Sequence, residues 1–264
     1  MVPMFAKDTN HRARLTVAAQ QLVVCAPGPS TGALRGEAHF PSPPALANTL
    51  LQLELSLSSP VFDLRDITNI IRSDIGLTTQ LLRLAAAETQ ESPDRIVSLS
   101  ELVVRVGVDQ LRELASRTIP LQDNLPSHAG STVARRFWAH SRLTALVAEE
   151  LAYEFPEVRL EEAYMAGLLW NLGELPVVLG WPITGSAAME SHDLGCQMAD
   201  AWGFPRALAD VIGGDREVCI TRESRALLEV AINASSWAFR LEFLAARESP
   251  SLRAKNPPYR IGRD

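Results

Sequence analysis

The chain has 264 residues, 47% of them apolar and 21% charged, with a formal charge of −6 and a sequence pI near 5.5. That length holds one large domain or two smaller ones around a substantial core, and the acidic balance gives no electrostatic reason to expect nonspecific attraction to nucleic acid or an anionic membrane. No run approaches the roughly 18 apolar residues of a membrane-spanning helix, and the odd, widely spaced Cys25, Cys196 and Cys219 suggest neither a disulfide framework nor a zinc knuckle, which fits a reducing cytoplasm.

In chain order, Leu15 to Cys25 follows His11, Arg12 and Arg14 in the manner of an export signal, but Gln20 and Gln21 interrupt its apolar part and Val24 is bulkier than a lipoprotein signal requires. Residues 26–44 carry Pro27, Pro29, Pro41, Pro43 and Pro44, which break helices and central strands. Residues 1–40 therefore read as an N-terminal arm and linker, open to a docking role.

Helical spacing begins with Leu46, Leu50, Leu53 and Leu57, and resumes after a predicted N-cap at Asp63 with Leu64, Ile67, Ile70 and Ile71. Asp74 is placed to cap a third helix burying Leu77, Leu81, Leu84 and Ala85. Ser98 and Glu101 form a capping-box pattern before Leu102, Val103 and Val106, with Gly107 suited to a left-handed helix end. Asp109 is expected to cap the next helix over Leu111, Leu114 and Ala115, and Pro120 and Pro126 flank a break near residue 125. A long helix is predicted from Ser131 to Tyr153, its apolar face including Val133, Phe137, Leu143, Leu146, Val147 and Leu151. Further helices are expected over 160–172, 191–202, 205–213 and 221–246. With no alternating strand pattern or fixed repeat, the fold class is all-α. The expected divisions are 41–125, 126–247 and a tail over 248–264.

Several local patterns in this order resemble the HDOD family, bacterial signalling relatives of HD phosphohydrolases. They include Pro44-Ala45 opening a helix, Ile70-Ile71-Arg72-Ser73-Asp74, Leu77-Thr78-Thr79-Gln80-Leu81-Leu82-Arg83-Leu84 and Val106-Gly107-Val108-Asp109-Gln110-Leu111-Arg112. The second half adds Phe137-Trp138-Ala139-His140-Ser141, Ala166-Gly167-Leu168-Leu169, and Gly195 followed by Ala201-Trp202-Gly203-Phe204-Pro205. The resemblance runs from about Pro43 to Phe239. It implies a two-subdomain helical HDOD-like architecture with an HD-like bundle in the second half.

Departures from the family pattern cluster where an HD enzyme does its chemistry. Gly167-Leu168-Leu169-Trp170-Asn171-Leu172-Gly173-Glu174-Leu175 stands where such an enzyme would show Gly-Leu-Leu-His-Asp-Ile-Gly-Lys-Leu. There the adjacent His and Asp hold a divalent metal that activates water, a role needing imidazole nitrogen and carboxylate oxygen. Trp170 offers only an indole N–H, Asn171 a weak neutral oxygen, and Glu174 replaces the usual lysine. Ser191 and the pair Asp215-Arg216 fall where relatives often carry histidines, and in the first half Ile75 and Ala86-Ala87 replace a Pro and an Asn-Ser.

His140 matches the first metal-ligating histidine, but without its companions the favoured reading is a packed histidine with a hydrogen-bond partner. Trp170 would either plug the former cleft or floor a pocket for a flat ligand, with plugging preferred. Asn171 would fill the aspartate's space and donate hydrogen bonds. Glu174 is expected to pair with an arginine at the surface, and His192 with Asp193 to serve a helix start rather than a metal. Cys196 and His192 could share a helical face, but nothing supplies oxyanion donors, so a small buried thiol is preferred to a nucleophile. The five tryptophans, Trp138, Trp170, Trp181, Trp202 and Trp237, lie in the second half and read mostly as packing.

The resemblance with its lost ligands implies a non-catalytic bacterial signal-transduction or regulatory module acting by protein–protein interaction in the cytoplasm. Its partner would be a signalling protein, and homo-oligomerisation remains open. No catalytic residue, metal, cofactor, nucleic acid or membrane is expected. The competing expectation is a residual metal-dependent phosphohydrolase or a nucleotide-sensing HD-type domain, which would need replacement ligands such as Asp193, Asp210 or Asp215.

Overall fold

A computed structural model describes residues 40–61, 63–88, 98–125, 128–182, 190–215, 217–219 and 221–248, which all fall within one compact unit. The expected arm, but for Phe40, and the expected tail, but for Glu248, lie outside the described residues, as does Cys25. Among the described residues the regular structure is helical, apart from one isolated parallel bridge between Ala45 and Pro120.

The first half contains α1 (Ala47–Ser58), α2 (Leu64–Arg72), α3 (Ile75–Glu88), α4 (Leu99–Val106) and α5 (Val108–Arg117), followed by a 3₁₀ turn over Leu121–Asn124. α1 packs on α2 and α5, and α4 on α2 and α3. Leu50, Leu53 and Leu57 of α1, Ile67 and Ile71 of α2, and Leu77 and Leu81 of α3 are buried, as their helical spacing predicts.

The start signals divide into kept and corrected ones. Asp63 accepts from Arg65 N at 2.8 Å and Ser98 from Glu101 N at 3.1 Å. Pro44 and Ala45 do not open a helix: Ala45 lies in the extended bridge, and α1 begins at Ala47. Asp109 does not cap α5, because Gly107 (φ +79°, ψ 162°) already turns the chain and α5 starts at Val108, leaving Asp109 in its first turn against Arg112.

The second half is built on α6 (His128–Leu151), which packs chiefly against α7 (Leu160–Leu169) and α11 (Arg222–Glu248). Phe137 and Trp138 are buried, but Val133 and Leu146 are exposed and do not belong to the buried face. The helix expected over 160–172 stops at Leu169. A 3₁₀ turn over Leu172–Glu174 and an unforeseen short α8 (Leu175–Leu179) follow. α9 (Ser191–Ala201) and α10 (Arg206–Gly213) pack on each other, and α9 also crosses the 172–174 turn.

The two bundles are joined through Asp74. Its fully buried carboxylate accepts from Gly76 N (2.8 Å) and Leu77 N (3.3 Å) as the cap of α3, from Leu46 N (2.8 Å) ahead of α1, and from Trp138 Nε1 (3.0 Å) on α6. Burial pushes this carboxyl above its ordinary range, and the four N–H donors pull in the opposite direction. Gly76 is part of the same arrangement: a Cβ there would lie 1.8 Å from the Pro44 carbonyl oxygen, so any side chain would lever the 43–46 segment away. A second clasp runs from α2. Arg72 Nη2 meets Glu149 of α6 at 2.9 Å, its guanidinium covers the Tyr164 ring at 3.8 Å, and Tyr164 OH donates to the Arg72 carbonyl at 2.7 Å.

Asp74→Ala should strand three backbone N–H groups and one indole N–H at once, destabilising the protein by about 3–5 kcal/mol, whereas Trp138→Phe removes one donor and should cost about 1–3 kcal/mol. Urea unfolding midpoints of the two variants and of their combination check this. A combined loss equal to the sum of the single losses would mean that the two side chains are not coupled.

Candidate functional site

The cradle around Trp170 forms where α7 ends. Trp170 closes that helix in right-handed geometry, and Asn171 (φ −98°, ψ 23°) turns the backbone so that its carbonyl accepts from Glu174 N at 3.0 Å. The turn sits directly under α9: a Cβ on Gly173 would lie 1.6 Å from the Ser191 carbonyl oxygen, and one on Gly195 would lie 3.0 Å from Gly173 N. Ser191 thus serves the site through its backbone, and glycine at 173 is what allows α9 to approach.

That approach places His192 against Trp170, with ring centroids 4.5 Å apart and planes tilted by 52°. His192 Nδ1 donates to the Ile212 carbonyl at 2.8 Å, so Nδ1 carries a proton. Gly214, just past α10, closes the other side: a Cβ there would sit 3.3 Å from His192 Cγ and 3.6 Å from Trp170 Cη2. Trp170 is 4% exposed, so its indole fills the space between α7, α9 and the end of α10. Of the two readings of Trp170, this geometry is the plug.

His140 lies on α6 and is tied elsewhere. Its Nδ1 donates to Glu242 Oε1 of α11 at 3.1 Å, a contact across 102 residues that no local pattern signals. Glu174 does not make the expected arginine pair at the surface. It is half-buried, its carboxyl is raised above the usual range by that burial, and the opposing influence comes from His140. Glu174 is therefore under the electrostatic influence of a histidine rather than in an arginine pair at the surface.

The remaining candidates do not converge. Asn171 makes no side-chain hydrogen bond with the described residues, so the expected donation is absent. Asp193 is exposed in the first turn of α9 and makes no side-chain cap, while Asp215 is exposed and turns back to accept from Glu217 N at 2.8 Å. Asp210 pairs with Arg206 Nε at 2.8 Å. Cys196 is half-buried, and burial followed by the charge of Asp200 pushes its thiol up, which disfavours the thiolate a nucleophile needs. Among the described residues no group of three or more His, Cys, Asp or Glu side chains could hold a metal ion. The residues present do not fit a divalent metal: Trp170 offers an indole and Asn171 a neutral amide, and His140 has a carboxylate partner.

Residues 43–184 match the family model of the HDOD domain. The chain belongs to the HDOD family. The match ends before Ser191, so the resemblances expected over 191–205 and at Asp215 lie outside it. The MmoQ response regulator from Methylococcus capsulatus str. Bath superposes with a TM-score of 0.59 at 21% identity, over 81% of this chain and 91% of that one. A virulence factor from Campylobacter jejuni subsp. jejuni superposes with a TM-score of 0.52 at 14% identity, over 86% and 82%. These likenesses concern the fold, which is all-α. An uncharacterized protein of Treponema pallidum (strain Nichols) is 25% identical over 195 residues, and this HDOD chain spans about a third of that relative, 36%.

Burial raises the folded-state pKa of Glu174 above its unfolded value near ~4.3, so folding favours the protonated acid. Its contribution to stability is present in full below the unfolded pKa and is lost as pH rises through the folded-state value. Glu174→Gln should therefore gain stability relative to wild type as the pH is raised from about 4 to 7. Paired urea titrations across that range check the sign, and a constant difference would place Glu174 in water.

Proposed function

We propose that this HDOD protein is a non-catalytic regulatory module of a bacterial signalling pathway, working in the cytoplasm through protein–protein interaction. The observation that carries the reading is the buried Trp170 ring packed on His192, in the position where an HD enzyme presents its metal-binding histidine. Supporting it, His140 is engaged by Glu242, and position 174 carries a half-buried acid rather than a lysine.

In this mechanism a signalling protein partner docks on a helical face or along the junction of the two bundles. It carries a signal by binding one arrangement of the bundles better than another, since a partner shifts a conformational equilibrium only by its difference in affinity for the two states. The junction has discrete contacts for such a shift to break, namely Asp74 with Trp138 and Arg72 with Glu149 and Tyr164.

Protein purified without chelators should carry no stoichiometric divalent metal, should show no metal-dependent hydrolysis of phosphate esters, and should respond to divalent ions and a nucleotide panel no differently from His140→Ala in thermal melts. Elemental analysis, a phosphate-release assay and the melts check this. Stoichiometric metal, or hydrolysis that disappears in His140→Ala, would overturn the non-catalytic reading in favour of a residual phosphohydrolase.

A further inference from the structure

The first bundle holds a concavity of its own, separate from the Trp170 cradle. It is an open groove of about 500 Å³ between the Ser42–Pro43 segment, α3, and α5 with the Thr118–Ile119 turn that follows it. That is within the size range of small-molecule sites, about 300–1,000 Å³. Its walls are held by side-chain bonds rather than left to close on a ligand. Gln80 Nε2 donates to the Pro43 carbonyl at 2.6 Å, Thr118 Oγ1 donates to Gln80 Oε1 at 3.1 Å, and Arg83 Nη1 donates to Ser42 Oγ at 2.9 Å.

Arg83 decides the chemistry. Its guanidinium is half-buried and lies over the Trp202 ring at 5.0 Å, and among the described residues it pairs with no carboxylate. Burial without a counter-charge lowers its pKa from the usual arginine value, yet a guanidinium stays charged and keeps five N–H donors in a rigid fork. Among the described residues one bond to a serine hydroxyl leaves most of that fork to recognise an anion. Arg117 stands on the same wall and among the described residues is paired only with the exposed Glu113 one turn earlier, while Leu84, Leu114 and Ile119 supply apolar surface beside the two cations.

We propose that this groove binds a small organic anion, a carboxylate or phosphate monoester with an apolar body, its charged end on Arg83 and Arg117 and its body on Leu84, Leu114 and Ile119. Glu113 acts as the internal competitor for Arg117, and the ligand displaces it. Because Arg83 also rests on Trp202 of the second bundle, an occupied groove is read at the junction of the two halves. The site is independent of the Trp170 cradle, and its failure would leave the reading of that cradle intact.

Calorimetric titration of the full chain with benzoate, phenyl phosphate and the neutral benzyl alcohol tests this. Benzoate or phenyl phosphate should bind saturably and benzyl alcohol should not, and whichever anion binds more tightly identifies the carboxylate or the phosphate source. Arg117→Gln should weaken that anion by about three- to tenfold, and Glu113→Gln should tighten it by a similar factor, since charge-assisted bonds to anions are the strong ones. Both side chains are exposed, so neither variant threatens folding. Absence of saturable binding by both anions, equal binding of benzyl alcohol, or an affinity unchanged in either variant would overturn the proposal.

Discussion

The buried carboxylate of Asp74 is the constraint from which the arrangement of the two bundles follows. A capping aspartate ordinarily satisfies one or two N–H groups of its own helix. Here the same two oxygens also take the N–H of Leu46 and the indole N–H of Trp138, so the start of α1, the start of α3 and the middle of α6 converge on one fully buried residue. An ionisable group is tolerated at such depth only when its hydrogen-bonding capacity is met. Those four donors thus fix the junction as much as they satisfy the carboxylate, and Gly76 is the accommodation the backbone makes for it.

From that junction the second bundle is positioned, and with it the cradle around Trp170. There Trp170 acts through packing. A ligand pair in a cleft is polar and partly hydrated, whereas an indole in the same volume removes water and must be matched by close packing. His192, Gly214 and the Gly173–Ser191 backbone contact supply that match. Charge is rearranged alongside: an acid at 174 lies within the influence of His140, which in turn reaches α11 through Glu242. The Trp170 cradle is thus closed by packing rather than left open as a cleft.

Much of the helical organisation is legible along the chain. Apolar spacing and the caps at Asp63, Asp74 and Ser98 locate the first helices, and the patterns around Arg72–Leu84 and Gly167–Leu169 identify the family. Where the sequence reading fails, the cause is competition between local and distant contacts. Asp109 has the composition of a cap but follows Gly107, which has already turned the chain. Val133 and Leu146 fit a helical face but face solvent, because a 24-residue helix crossed by several neighbours has no single buried stripe. The helix through Leu169 stops early since Asn171 leaves helical geometry to bring Gly173 beneath α9.

By itself the sequence determined the all-helical class and the family, because periodicity, caps and short family motifs are local properties of the chain. Only the tertiary structure decided what those residues do. It assigned Glu242 to His140, half-buried Glu174, packed Trp170 against His192 and, among the described residues, left Arg83 over Trp202 without a carboxylate. Each of these depends on side chains brought together from distant segments, and burial, charge compensation and close packing are properties of that meeting rather than of any one stretch of sequence.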